Sequence, residues 1–116
     1  MKNTFVIKTL GCKVNQYESD GIGAGLEARG WQKAVFENQA DLVVVNTCAV
    51  TARAGMQSRQ AIRRFSKDYP NAVIIATGCH IQTDPSLIRQ MTPRPLMVCN
   101  ADKTRIANRI DQIMAR

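Results

Sequence analysis

Aromatic residues are scarce, with three Phe, two Tyr and one Trp making up 5% of the 116 residues. Modules that hold single-stranded nucleic acid by stacking present several rings, and no base-stacking platform of that kind is visible in the sequence. Apolar runs are short, the longest clear ones being LVVV and AVIIA, whereas a bilayer-spanning helix needs roughly 20 apolar residues. No part of the chain is placed in a membrane. Glycines do cluster in DGIGAGLEARG, but the dinucleotide fingerprint G-x-G-x-x-G would need glycine at Leu26 and would directly follow a strand. Gly21, Gly23 and Gly25 instead fall inside a helical stretch and read as close packing on a sheet. GCKVNQ lacks the Ser, Thr and Gly content of a phosphate-binding loop. Internal repeats, low-complexity tracts and long linkers are absent too.

What remains is an ordinary globular composition, 45% hydrophobic and 22% charged, in a length that suits one domain with a real core. Sixteen Lys and Arg against nine Asp and Glu give a net charge of +7, which favours polyanionic partners such as nucleic acid without establishing one. Four spread cysteines and no secretory pattern after MKNTFVIKTL point to a reducing, cytoplasmic setting rather than a disulfide scaffold.

Strand and helix signals alternate. Strands are predicted at Thr4 to Leu10, Lys33 to Phe36, Leu42 to Asn46, Ala72 to Ala76 and Leu96 to Val98. Helices are predicted from about Gln16 to Arg29 and Ala52 to Lys67, then briefly after the Asp84-Pro85 start signal, and last from near Asp102 almost to Arg116. In the second helix Ser58, Ala61, Ile62, Phe65 and Tyr69 share a face suited to a sheet, and Arg59, Arg63 and Lys67 share another. Continuously apolar strands between helices imply an α/β fold, a doubly wound, mostly parallel five-stranded sheet with helices on both faces. The sheet is flavodoxin-like or Rossmann-like; if the order is the flavodoxin-like 2-1-3-4-5, strands one, three and four are neighbours.

Those three strands end at TLGCKVNQYES, LVVVNTCAV and VIIATGC, so Cys12, Cys48 and Cys79 leave one edge of the sheet together, about 4.8 Å apart per strand. Soft thiolates select zinc, copper(I) or iron–sulfur clusters. Spacings of 36 and 31 residues do not suit a zinc knuckle, which uses close pairs, nor a ferredoxin run drawing several cysteines from one loop. A 4Fe-4S cluster held by three cysteines would leave one iron open to a small molecule. The plain alternative is a flavodoxin-like binding or interaction module whose cysteines are structural.

With these segments assembled, TLGCKVNQYES, ADLVVVNTCAVT and ATGC resemble the N-terminal domain of the methylthiotransferases, radical S-adenosylmethionine enzymes. The resemblance runs through most of the chain, and the Lys13-Val14-Asn15-Gln16 run is similar to the branch that modifies threonylcarbamoyladenosine in tRNA. It implies an auxiliary 4Fe-4S cluster on Cys12, Cys48 and Cys79, with sulfur carried at the open iron, and tRNA as partner of the full-length enzyme. The family's second cluster, which cleaves S-adenosylmethionine, needs C-x3-C-x2-C, and no cysteines here are that close. The C-terminal tRNA-binding barrel is also missing from these residues, so residues 1–116 alone are expected to lack catalysis.

Cys99 stands where the family usually has glycine and reads as a buried or half-buried bystander rather than a fourth ligand, able to pair with Cys79 in oxidised, cluster-free protein. His80 reads as a solvated loop residue. Asn15, Gln16, Asn46 and Thr47 either donate to cluster sulfides or only satisfy the helix start and loop backbone. The Arg59, Arg63, Lys67 stripe, with Arg53 and Arg64, reads as a solvated face within reach of tRNA phosphates.

Overall fold

The protein was analysed as a computed structural model that describes residues 3–11, 13–34, 40–48, 51–78, 80, 85–91, 95–98 and 105–114. The described elements are β1 (Thr4–Thr9), α1 (Lys13–Ala28), β2 (Gln32–Lys33), β3 (Leu42–Thr47), α2 (Ala52–Asp68), β4 (Val73–Gly78), α3 (Pro85–Arg89) and β5 (Leu96–Met97). A 3-10 turn (Ala107–Arg109) then runs into α4 (Ile110–Met114). Every described strand pairing is parallel, in the order β2-β1-β3-β4-β5. This is the doubly wound α/β sheet that the alternation of signals predicts.

The central strand explains why the sheet needs helices on both faces. All six residues of β3 are buried, and successive side chains point to opposite faces. Leu42 and Val44 join Phe5, Ile22, Leu26, Ile75, Ile106 and Ile110 under α1 and α4. Val43 and Val45 join Ile62, Tyr69, Ala76 and Ile88 under α2 and α3. The predicted inner face of α2 is the one that packs: Ser58, Ile62 and Tyr69 are buried, and Ala61 and Phe65 are half-buried. Thr51 starts that helix, its extended backbone letting the hydroxyl accept from the Ala54 N–H at 3.0 Å. Replacing fully buried Ile62 with Ala should lower the unfolding free energy by about 2–5 kcal/mol. Urea denaturation reads this, and a loss well below that range would mean that α2 is not seated on the sheet as described.

The helix glycines divide in a way the sequence reading misses. A side chain on Gly23 would meet Ile7 and Phe5 of the sheet, but one on Gly25 would come within 2.9 Å of the Ala107 Cβ, and Gly21 faces open space. Only Gly23 packs on the sheet. Gly25 serves the C-terminal segment, which begins as the tighter 3-10 turn where it meets α1 rather than as one continuous helix. Expectations for Phe36, Asp84, Asp102, Cys99, Cys12 and Cys79 fall outside the described residues. Among the described residues no helix is long and apolar enough to cross a membrane.

Candidate functional site

The site is set by register. Thr9 pairs with Asn46, Asn46 with Thr77, and Thr47 with Gly78, so β1, β3 and β4 end at one level. Cys48 follows Thr47, Cys79 follows Gly78, and Cys12 comes three residues after Thr9. Of the three, Cys48 is described: its thiol is free and it is 6% exposed. Its backbone is clamped by Ser58 of α2, whose hydroxyl accepts from the Cys48 N–H at 3.0 Å and donates to the Cys48 carbonyl at 2.8 Å. The sequence reading assigned Ser58 to a packing face, and its role as clamp needed the structure.

Two glycines bring the neighbouring segments against this cysteine. Gly11, just before Cys12, has φ +100°, and a Cβ there would lie 2.8 Å from Cys48 Sγ. Gly78, just before Cys79, has φ +98°, and its Cβ would lie 2.5 Å from the Thr47 carbonyl oxygen and 2.7 Å from its nitrogen. Left-handed backbone and missing side chains are thus required at both positions. The signal was the Gly-Cys dipeptide, which occurs twice.

Beneath the edge lies a polar layer. Asn15 Nδ2 donates to the carbonyls of Leu10 (2.8 Å) and Thr47 (3.4 Å). Asn46 Nδ2 donates to the Asn15 carbonyl and to Ser19 Oγ, both at 3.1 Å. Because a carbonyl can only accept, the Asn46 amide orientation is fixed, and its Oδ1 is left buried without a partner among the described residues. Thr47 donates to the Thr77 carbonyl, and Gln16 donates to Asp20 at 2.9 Å on the surface. The side-chain donors of Asn15, Asn46 and Thr47 are committed within the protein, which favours the backbone-satisfying role over donation to sulfide for these three.

His80 overturns its reading as a solvated loop residue. It is 1% exposed, its N–H donates to Thr47 Oγ1 at 3.2 Å, and Nε2 sits 2.9 Å from Arg59 Nη1. Arg59 consequently leaves the expected stripe and turns inward, half-buried, while Arg53, Arg63, Arg64 and Lys67 stay exposed along α2. A groove of about 470 Å³ along α1 and the β1–β2 edge includes Ile7, Ser19, Gly23 and Lys33, but neither Cys48 nor His80. Its concavity does not mark this site.

Cys48 is the one described thiol at this edge, and among the described residues no group of three or more His, Cys, Asp or Glu could hold a metal ion. Three buried polar atoms, Asn46 Oδ1, Thr77 Oγ1 and His80 Nδ1, lack partners among the described residues, and all belong to the segments that carry Cys48 and Cys79. The glycine at position 11 leaves the Cys48 sulfur bordered by backbone rather than by a side chain. Of the three orphaned atoms, Thr77 Oγ1 and His80 Nδ1 can donate to a thiolate-bound group, whereas Asn46 Oδ1 can only accept.

Comparison with known proteins adds identity to the geometry. Residues 4–100 match the family described as "Uncharacterized protein family UPF0004". The chain is 39% identical over 109 residues to the threonylcarbamoyladenosine tRNA methylthiotransferase MtaB of Bacillus subtilis (strain 168), covering 94% of this chain and 24% of that protein. It is 37% identical over 99 residues to a tRNA-2-methylthio-N(6)-dimethylallyladenosine synthase of Bifidobacterium longum (strain DJO10A), covering 79% and 20%. The chain therefore spans about a quarter of the length of these relatives. Among solved structures, a response regulator from Thermotoga maritima superposes with a TM-score of 0.65 over all of both chains at 16% identity, a likeness of fold alone.

Proposed function

As the chain belongs to the uncharacterized protein family UPF0004, we propose that it is the cluster-binding N-terminal domain of a radical S-adenosylmethionine tRNA methylthiotransferase. The observation that carries this reading is the level ending of β1, β3 and β4, with glycine before Cys12 and before Cys79 abutting the Thr47–Cys48 segment. Cys12, Cys48 and Cys79 would hold a 4Fe-4S cluster. When bound, that group supplies an iron without a protein ligand, able to take a sulfur co-substrate.

This chain's own residues do the holding. Ser58 fixes both backbone polar groups of Cys48, and Asn15 and Asn46 tie the start of α1 to the ends of β1 and β3. The radical step would belong to the remaining three-quarters of the enzyme, since no C-x3-C-x2-C occurs in these 116 residues. We assign the threonylcarbamoyladenosine branch on the KVNQ run, supported by the longer match to the Bacillus subtilis relative. The nucleic-acid partner would be tRNA in the cytoplasm, and the exposed cations of α2 suit its phosphates.

Anaerobic incubation of the chain with ferrous iron and sulfide tests the proposal. A brown protein with broad visible absorption and matched iron and sulfide contents is expected. A colourless product, or one that holds zinc alone, would sink the cluster assignment and leave a flavodoxin-like interaction module with structural cysteines.

A further inference from the structure

Arg59 and His80 belong to none of the three cysteine motifs, yet their geometry constrains a proton. A guanidinium has donors only, so at 2.9 Å the Arg59 Nη1–H donates and His80 Nε2 accepts. Nε2 then carries no hydrogen, and the neutral ring must carry it on Nδ1. That Nδ1–H lies in a side chain 1% exposed and meets no acceptor among the described residues. Leaving such a donor unmade is costly, and buried polar groups are otherwise nearly always paired.

The ring is held where it is from several directions. Its backbone N–H bonds the hydroxyl of Thr47, the residue before Cys48, and that hydroxyl in turn donates to the Thr77 carbonyl of β4. Gly55 of α2 lies beside the ring, where a Cβ would reach Nε2 at an ordinary contact distance of 3.5 Å. Covalently, His80 is the next residue after Cys79. The unmade donor thus sits among segments that carry two of the three thiols, and the other two orphaned atoms, Asn46 Oδ1 and Thr77 Oγ1, do not accept from it.

Resting on the proposed cluster site, we infer that Arg59 and His80 form a positioning pair that directs the Nδ1–H at a sulfur of the bound cluster, either a cysteine thiolate or an inorganic sulfide. A hydrogen bond to cluster sulfur stabilises the reduced, more negative state and raises the potential. The pair would tune the site without touching its irons.

The test uses the 116-residue chain, reconstituted anaerobically with iron and sulfide, and its reduction potential measured by spectroelectrochemistry. His80→Leu should shift the potential negative at unchanged iron and sulfide content. His80→Asn should restore the parental value, because its amide N–H stands close to where Nδ1 stood. Arg59→Leu, which keeps the ring but releases the tautomer, should give a smaller shift of the same sign. A His80→Leu protein with full cluster and parental potential overturns the inference. Nitrogen NMR of the metal-free chain reads the pair independently of loading and of whether His80→Leu folds: the Nδ1–H tautomer is expected, and the Nε2–H tautomer overturns it. If the parent takes up no iron, the proposed function fails and this inference falls with it; if the parent loads normally and only the His80 arms fail, the cluster reading stands.

Discussion

Cys12→Ala, Cys48→Ala and Cys79→Ala should each abolish the iron–sulfur chromophore of the reconstituted chain, whereas Cys99→Ala should leave it intact. The contrast follows from topology. Three of the cysteines follow consecutive strands of the sheet, β1 beside β3 and β3 beside β4, while Cys99 follows β5, which among the described residues pairs with β4 alone. Losing a ligand should reduce iron retention by at least about tenfold, given that losing even an outer partner of a metal site costs 10–100-fold. The fold should survive at Cys48. Its backbone bonds go to Ser58 and do not involve the thiol, so removing Sγ should change the unfolding free energy by no more than about 1 kcal/mol. Iron analysis and far-UV circular dichroism on the same samples separate the two effects. Colour that persists in Cys48→Ala, or that disappears in Cys99→Ala, would refute the ligand set.

How much of this could be read from sequence depends on whether the cause is local. The apolar run LVVV announces a strand buried on both faces, and β3 is that strand because both of its neighbours are strands and both of its faces are covered. The face Ser58, Ile62, Phe65, Tyr69 follows from helical spacing alone. What sequence could not show are contacts between residues distant along the chain. His80 looks solvated because it follows a strand end, yet its buried ring meets Arg59, 21 residues away. Nothing in either local segment signals that encounter. The carboxamides were ambiguous for a related reason: whether Asn15 and Asn46 have donors to spare depends on which carbonyls the fold brings near, and Leu10, Thr47 and Asn15 itself take them. The Gly-Cys dipeptides were an available signal, since a glycine fixed next to a reactive residue often marks a backbone that no other residue can adopt.

Gly78→Ala should be among the most damaging single-methyl additions to this chain, for reasons that can be separated experimentally. At φ +98° the backbone is left-handed, which costs an L-residue about 1–2 kcal/mol. Sterics add to this, because the new Cβ would lie 2.5 Å and 2.7 Å from backbone atoms of Thr47 and 2.6 Å from Asn46 Oδ1. The Thr47 atoms belong to the central strand and cannot yield without breaking its pairing with β4, so overpacking should cost a further 1–3 kcal/mol or so. Together these predict a melting temperature lower by roughly 10–20 °C. Gly30→Ala is the internal control: its φ is +91°, but a Cβ there meets nothing within 4 Å, so only the backbone cost of about 1–2 kcal/mol remains. Gly11→Ala falls between them, since its new Cβ would crowd the Cys48 side chain, at 2.8 Å from Sγ, rather than a strand backbone. That variant should therefore displace the thiol more than it unfolds the protein, and lose iron uptake out of proportion to stability. Calorimetry and iron analysis across the three variants test the series. Equal melting losses for Gly78→Ala and Gly30→Ala would mean that the segment before Cys79 is not pressed against β3, and would remove the structural support for bringing Cys79 to Cys48.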